Sequence, residues 1–240
     1  GNTSMIKLPK VSVVIVNWNG RRYITRCLES VLNSNYPKDK LEVIVVDNAS
    51  TDGSADIIAE KFPRVILIRN SQNLGFCRAN NIGIKHSTGD VIVLLNNDTF
   101  VDSNWLIEIV KTIKKPHVGI VGCKLLYPNG KTIQTCGCRE IFLGYWEHIA
   151  AGLKIRDFDL KTEIEVDYAS GAAIAIRREV FEKIGLLDPR FWAYVEEVDF
   201  CYRARKAGYR TVVAPKAIVY HYGSASWRSF PLRKMYLEYR

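Results

Sequence analysis

Hydrophobic and polar positions follow two rhythms along the first hundred residues. Short apolar runs at 11–16, 41–46, 65–68 and 91–95 alternate with stretches in which apolar residues return at helical spacing. Tyr23, Ile24, Cys27, Leu28, Val31 and Leu32 fall on one face of a helix predicted over 21–32. Helices are also predicted over 52–61 and 76–85. A strand that is apolar at every position is covered on both faces, and strands alternating with such helices specify right-handed βαβ units and a parallel sheet.

The second half is less regular. A helix is predicted over 105–113, strands over 118–121 and 124–127, and a turn at Pro128-Asn129-Gly130. Residues 137–165 have weak periodicity and several glycines, and read as a loop or a small antiparallel excursion. A strand over 172–176, helices over 178–184 and 194–207, and short strands over 211–213 and 217–220 complete the pattern, with Gly208 stopping the last helix. No repeat or low-complexity linker divides the chain. The expected fold is therefore one α/β domain over 5–240, a mostly parallel, Rossmann-like central sheet flanked by helices. Gly1-Asn2-Thr3-Ser4 before Met5 reads as a cloning remnant.

Polar residues follow the buried strands at once, at the edge where open α/β sheets bind ligands. The run at 91–95 passes into Asn96-Asn97-Asp98, and Asp98 is a hard oxygen donor suited to a divalent cation bridging to phosphate. The plainer alternative is an Asn/Asp turn. The run at 41–46 ends in Asp47, whose carboxylate can accept from a nucleobase N–H or a ribose hydroxyl. Ser50 or Thr51 is expected to cap the next helix, with Asp52 in its first turn. Asn17-Trp18-Asn19-Gly20 follows the first strand and contains no glycine-rich phosphate fingerprint, which argues against a dehydrogenase and a P-loop enzyme. Asn73-Leu74-Gly75 opens a helix whose N-terminus and Arg78 favour phosphate, while Asn80 and Asn81 read equally as a solvated face. Glu196-Glu197-Val198-Asp199 begins an Arg-rich helix. It reads either as the usual acidic first turn or as the source of a general base that the helix start keeps ionised. Trp192 and Tyr194 would offer a sugar ring an apolar platform. His221 is a packed histidine or a ligand for Mn²⁺ or Mg²⁺.

The formal charge of +9 on 240 residues favours anionic partners, but the basic residues are scattered and mark no nucleic-acid groove. No stretch approaches eighteen consecutive apolar residues, so none reads as a membrane-spanning helix. The six cysteines read as reduced thiols of a cytosolic protein. A zinc site drawn from Cys123, Cys136, Cys138 and His148 matches no standard spacing.

Taken in order, these blocks resemble the inverting glycosyltransferases of family 2, which have the GT-A fold. The matching stretches are Val13–Gly20, Val46–Ser54, Asn73–Phe76, Leu94–Thr99, Ser170–Ala172, Gly185–Asp188 and Glu196–Arg203. The wording is most similar to the rhamnosyltransferase-like branch. The resemblance implies that Asp47 contacts the nucleotide base, that Asp98 closes the family's D-x-D motif on the metal, that His221 completes the metal shell, and that Glu197 is the base. Asn96 stands in place of the motif's first Asp, and Glu197 in place of the usual Asp, which keeps Glu196 and Asp199 open as alternatives. The donor side is expected to draw on Val16, Asn17, Asp47, Asn73, Arg78, Asn80, Asn96, Asn97 and Gly171, and the acceptor side on Trp192 and Tyr194.

The expected activity is metal-dependent transfer of a sugar from a nucleotide-diphosphate sugar, dTDP-rhamnose being one candidate, to a hydroxyl of a glycan or lipid-linked acceptor in cell-surface polysaccharide synthesis. The donor half would run to about residue 125 and the acceptor half from about 126. A nucleotidyltransferase or a non-catalytic sugar-nucleotide binder is the rival reading. The sequence stops inside an amphipathic pattern at 234–240, which reads as a truncation whose missing part holds the acceptor at the cytoplasmic membrane face.

Overall fold

The computed structural model describes residues 7–142, 145–191 and 196–223. The expected alternation is present as β1 (Val11–Asn17), α1 (Ile24–Leu32), β2 (Leu41–Asp47), α2 (Ser54–Lys61), β3 (Ile66–Arg69), α3 (Phe76–His86) and β4 (Val91–Asn96). Strands β3, β2, β1 and β4 lie side by side and parallel. Alternate residues of each strand feed opposite cores. Val13, Ile15, Val45 and Val93 meet α1, α2 and α4 (Trp105–Ile113), and Val14, Val16, Ile44 and Ile92 meet α3, α5 (Arg178–Ile184) and α6 (Glu196–Lys206). This two-sided burial is why these strands read as unbroken apolar runs.

The helix starts differ from the periodicity for local reasons. The N–H groups of Tyr23 and Ile24 both donate to the carbonyl of Gly20, so a turn precedes α1 and the helix begins at Ile24. Gly53, at φ +81°, delays α2 to Ser54, and Asp52 rather than Ser50 or Thr51 accepts from the Ser54 N–H at 3.0 Å.

The second half extends the sheet with a change of direction. β11 (Ala173–Arg177) runs antiparallel to β4 and to β6 (Val118–Leu126), and β12 (Arg210–His221) runs parallel to β6. The strands expected over 118–121 and 124–127 are one strand. Gly122 does not interrupt it but admits the loop that crosses it, since a Cβ there would lie 2.8 Å from the Ala169 Cβ. The strands expected over 211–213 and 217–220 are likewise one strand, bulged around Pro215, where Ala214 pairs with Cys123 and Ile218 with Lys124. Proline cannot donate to a ladder, and the bulge accommodates it.

Beyond the bulge β12 also pairs with β5 (Thr99–Val101), a three-residue strand too short for a periodic signal. The excursion contains the hairpin β8 (Cys138–Phe142) and β9 (Tyr145–His148), preceded by β7 (Ile133–Thr135) on β6 and followed by β10 (Ile164–Val166) on the edge of the main sheet. A half-buried ion pair, Lys124 Nζ to Asp159 Oδ1 at 2.6 Å, pins its return segment to β6. Residues 192–195 and 224–240, and with them Trp192, Tyr194 and the 234–240 pattern, lie outside the described residues.

The packing of α3 on β1 depends on Gly83, where an added Cβ would lie 2.3 Å from Val14 Cγ1 and 3.2 Å from Val46 Cγ2. Gly83→Ala is therefore expected to destabilise the fold by about 1–3 kcal/mol, because overpacking outweighs the gain of about 1 kcal/mol in helix propensity. Urea unfolding measures this, and Val14→Ala in the same chain should recover part of the loss.

Candidate active site

β1 lies between β2 and β4, so the chain winds away from it in both directions and a crevice opens beyond the carboxyl ends of these strands. The crevice is a cleft of about 650 Å³. Its walls are Val16, Trp18, Asn19, Gly20 and Tyr23 after β1, Asn48 after β2, Asn73, Gly75 and Phe76 at the start of α3, and Asn96, Asn97 and Asp98 after β4. Gly171, Ala172, Glu196, Glu197 and His221 close the far side.

One carboxamide organises the near wall. Asn17 is fully buried. Its Oδ1 accepts from Asn97 Nδ2 at 3.0 Å, and its Nδ2 donates to Asp47 Oδ1 and Ser54 Oγ, both at 2.9 Å. Asp47 Oδ1 also accepts from Ser50 Oγ at 2.7 Å, and Oδ2 from the Ser50 N–H at 3.0 Å. Three strand ends are thereby tied together. Gly20 sits directly against this contact, with an added Cβ only 2.2 Å from Asn97 Nδ2. Asp47 is 2 % exposed and does not line the cleft. Its neighbour Asn48 does, and the Asp47 carboxylate shapes the loop that carries it.

The far wall holds a carboxylate and an imidazole. Thr99 Oγ1 donates to the Asn96 carbonyl at 2.8 Å, and the Tyr222 N–H donates to the Asp98 carbonyl at 3.0 Å. The Asn96–Asp98 turn is thus held against the end of β12. Pairing of His221 with Thr99 brings His221 Nε2 to 3.1 Å from Asp98 Oδ1, both side chains being buried. Asn96 Oδ1 is buried without a hydrogen-bond partner. A carboxylate oxygen and an imidazole nitrogen at this distance suit Mg²⁺ or Mn²⁺ that keeps substrate and water oxygens as its other ligands. Among the described residues no group of three or more His, Cys, Asp or Glu side chains is placed to hold a metal. A cation here would therefore draw on Asp98 and His221 and share the rest of its shell with a ligand.

Glu196 and Glu197 open α6 and both line the cleft, nearly buried. The Glu197 carboxyl lies against Gly171, where an added Cβ would be 3.1 Å from Cδ, so the glycine makes room for it. The expectation that the helix start keeps this carboxylate readily ionised is overturned. Burial, and then the neighbouring Glu196, push the Glu197 pKa well above the ordinary carboxylate value. Asp199 does not line the cleft. It accepts from Arg203 Nε at 2.9 Å, and Arg203 also donates to the carbonyls of Ile184 and Leu186, clamping α6 to the preceding loop.

Other expected residues separate. Val16, Asn73, Asn96, Asn97 and Gly171 line the cleft, whereas Arg78 is exposed on α3 and outside it. Asn80 is buried beneath α3, also outside the cleft. Asn81, expected to be solvated with equal weight, pairs both ends of its amide with the Leu187 backbone at 2.8 and 3.1 Å. The zinc grouping does not form. Cys138 Sγ lies 3.1 Å from His148 Nδ1, but among the described residues no third His, Cys, Asp or Glu joins them in a set placed to hold a metal. All six cysteines are free and buried.

Trp18, Tyr23, Asn48 and Phe76 line the cleft without having been singled out by sequence. Trp18 carried a signal, since a large aromatic directly after a buried strand is 56 % exposed at the sheet's ligand edge.

Three comparisons bear on this geometry. The sequence profile of the family described as Glycosyl transferase family 2 matches residues 12–185. The O-antigen biosynthesis protein RfbC of Myxococcus xanthus is 33% identical over 230 residues, which cover 92% of this chain and 18% of that protein, so the chain spans about a fifth of this relative. An N-acetylglucosaminyl-diphospho-decaprenol L-rhamnosyltransferase of Mycobacterium tuberculosis is 25% identical over 236 residues, covering 89% of this chain and 76% of that protein. Among solved structures, the mannosyltransferase PcManGT from Pyrobaculum calidifontis, in complex with GDP-Man and Mn²⁺, superposes with a TM-score of 0.70 at 23% identity, covering 93% of this chain and 61% of that one. The fold is that of the GT-A glycosyltransferases.

Asn17 generates the test of the near wall. Asn17→Ala leaves Asp47, Ser54 and Asn97 each short of a buried partner. It should cost about 1–3 kcal/mol in denaturant unfolding. An unchanged unfolding midpoint would remove Asn17 as the tie between the strand ends.

Proposed function

Because the chain belongs to glycosyl transferase family 2, we propose that it transfers a sugar, with inversion, from a nucleotide-diphosphate sugar to a hydroxyl of a glycan or lipid-linked acceptor. The observation that carries this reading is that one cleft holds both groups. Asp98 and His221 line it with acceptor atoms 3.1 Å apart, and the Glu196–Glu197 carboxylates line the same space. A pyrophosphate held at the first and a hydroxyl activated at the second would flank an anomeric carbon.

In this reading the acceptor hydroxyl attacks that carbon while Glu197 takes its proton, and the nucleoside diphosphate leaves from the opposite face. The raised pKa of Glu197 suits a base, since a carboxylate that holds its proton more tightly removes one more effectively, provided the pH keeps it ionised. Gly171 keeps its carboxyl against the backbone, aimed by packing. Asp98 and His221 would hold a divalent cation, Mn²⁺ or Mg²⁺, with Asn96 Oδ1 as a third acceptor. When bound, that cation supplies charge neutralisation to the departing diphosphate. Trp18 offers a flat exposed face for the nucleobase, and such stacking contributes about 1–3 kcal/mol.

Rhamnose is the first donor sugar to test, as dTDP-rhamnose, supported by the relative named for L-rhamnosyl transfer to a lipid diphosphate. The O-antigen relative supports a cell-surface polysaccharide as the product class. We read residues up to about 125 as the donor half and those beyond 126 as the acceptor half, acting at the cytoplasmic membrane face. Among the described residues no helix is long and apolar enough to cross a membrane.

A screen of nucleotide sugars, read by nucleoside diphosphate release, should identify one preferred donor. Turnover should vanish with excess chelator and return with Mn²⁺ or Mg²⁺. Activity undiminished by chelation would end the metal assignment.

Glu197→Gln separates catalysis from stability. Turnover should fall about 10²–10⁴-fold with donor binding retained. The raised folded-state pKa means that the native protein binds the Glu197 proton more tightly than the unfolded chain does, so this group costs stability as pH rises past the ordinary carboxylate range. Glu197→Gln should accordingly raise the thermal midpoint at neutral pH. The kcat/KM profile of the unsubstituted protein should climb with pH through an ionisation above that range. A profile already flat at ordinary carboxylate pH would move the base elsewhere.

A further inference from the structure

Gln134 stands where the ladder between β6 and β7 slips. Leu125 pairs with Thr135 and Leu126 with Ile133, so Gln134 is an extra residue with no opposite partner. A bulge of this kind turns a side chain out of the strand's alternation, and bulges concentrate beside active sites. Both ends of the Gln134 carboxamide meet His221. Nε2 lies 3.3 Å from the His221 carbonyl oxygen, and Oε1 lies 2.6 Å from His221 Nδ1. A carbonyl oxygen only accepts, so the amide nitrogen faces it, and this fixes which end of the carboxamide reaches the ring. The amide oxygen also only accepts, so Nδ1 carries the hydrogen and donates it. In the neutral imidazole, Nε2 then presents a bare lone pair, and that atom is the one 3.1 Å from Asp98 Oδ1.

We propose that Gln134 is a positioning residue that sets the tautomer and ring plane of His221, so that Nε2 and Asp98 face a divalent cation together. The inference rests on the metal reading given above. Its physical basis is competition for one proton. Asp98 is a carboxylate and the stronger acceptor. Without an acceptor at Nδ1, the arrangement that satisfies both groups is Nε2–H donating to Asp98, which occupies both atoms with each other. Gln134 supplies the acceptor on the other side of the ring and reserves Nε2. A hydrogen bond to the far nitrogen also holds the ring's orientation, and loss of such a partner typically weakens metal affinity about 10–100-fold.

The test uses Mn²⁺ alone, titrated into the protein and read by loss of the free-ion EPR signal, together with ¹H–¹⁵N long-range correlation of the metal-free protein. Four histidines make that spectrum assignable, with His221→Asn identifying the resonance. The unsubstituted protein should show His221 protonated at Nδ1. Gln134→Leu should move the proton to Nε2 and weaken Mn²⁺ binding about 10–100-fold. Gln134→Glu keeps an acceptor at Nδ1, and should retain the Nδ1–H form and an affinity within about tenfold of the original. An Nε2–H tautomer in the unsubstituted protein overturns the proposal, even if Gln134→Leu does not fold. Equal Mn²⁺ affinity and an unchanged tautomer in Gln134→Leu also overturn it, while leaving the metal site in place. Absence of Mn²⁺ uptake by the unsubstituted protein, or uptake unchanged in Asp98→Ala, overturns the metal reading and this proposal with it.

Discussion

A buried carboxamide must fill its acceptor and its donors from protein, because no water reaches it. Asn17 ends β1 in that position, and the strands on either side supply what it needs. The Asn97 amide comes from the turn after β4, and the Asp47 carboxylate from the end of β2. Each partner is in turn engaged by its own loop, Asp47 with both donors of Ser50 and Ser54 with Asn17. The cost of leaving any of these groups unpaired exceeds the value of an ordinary exposed hydrogen bond. The three strand ends therefore keep one relative position, and the near wall of the cleft follows from it. Asn19 and Ala49 adopt left-handed backbone angles in the same two loops, φ +49° and +58°, a local strain sustained by this network.

The cleft uses burial in two opposite ways. At Glu197 it withdraws solvent from a carboxylate that has a second carboxylate as its neighbour, and the proton is held tightly. At Asp98 it brings a carboxylate and an imidazole nitrogen together, a pair that suits a positive charge. A pyrophosphate carried with a cation and a hydroxyl that must lose a proton need these two environments at the same time. The sheet provides them because Asp98 and Glu197 arrive from different layers, one from a central strand end and one from the helix packed on the opposite core.

The element that brings the far wall together is β12. It keeps the parallel order beside β6 on both sides of the bulge at Pro215, and beyond that bulge it also pairs with β5. Without that bulge His221 would not stand opposite Thr99, one residue from Asp98. A second bulge, at Gln134 in β7, then reaches the same histidine from behind. Two breaks in ladder regularity thus complete what regular strands begin.

Strand and helix order in the first hundred residues was legible because each strand is buried on both faces, and burial writes itself directly into apolar runs such as Val91–Leu95. The polar residues that stop those runs, Asn17, Asp47 and Asp98, marked the ligand edge for the same reason, since a polar side chain directly after a buried strand needs a partner or a substrate. Which of the two each had was decided only in three dimensions. Asp47 and Asn17 were consumed by one another, Arg78 fell outside the cleft, and Asn81 closed on the Leu187 backbone. The pairing of Asp98 with His221 spans more than half the chain and depends on a bulge at a proline that local periodicity reads as the end of a strand. The protonation tendency of Glu197 was likewise beyond local reading. The helix start suggests an ionised carboxylate, but desolvation and Glu196 act through the packed surroundings, and inside a protein those surroundings outweigh the sequence neighbourhood.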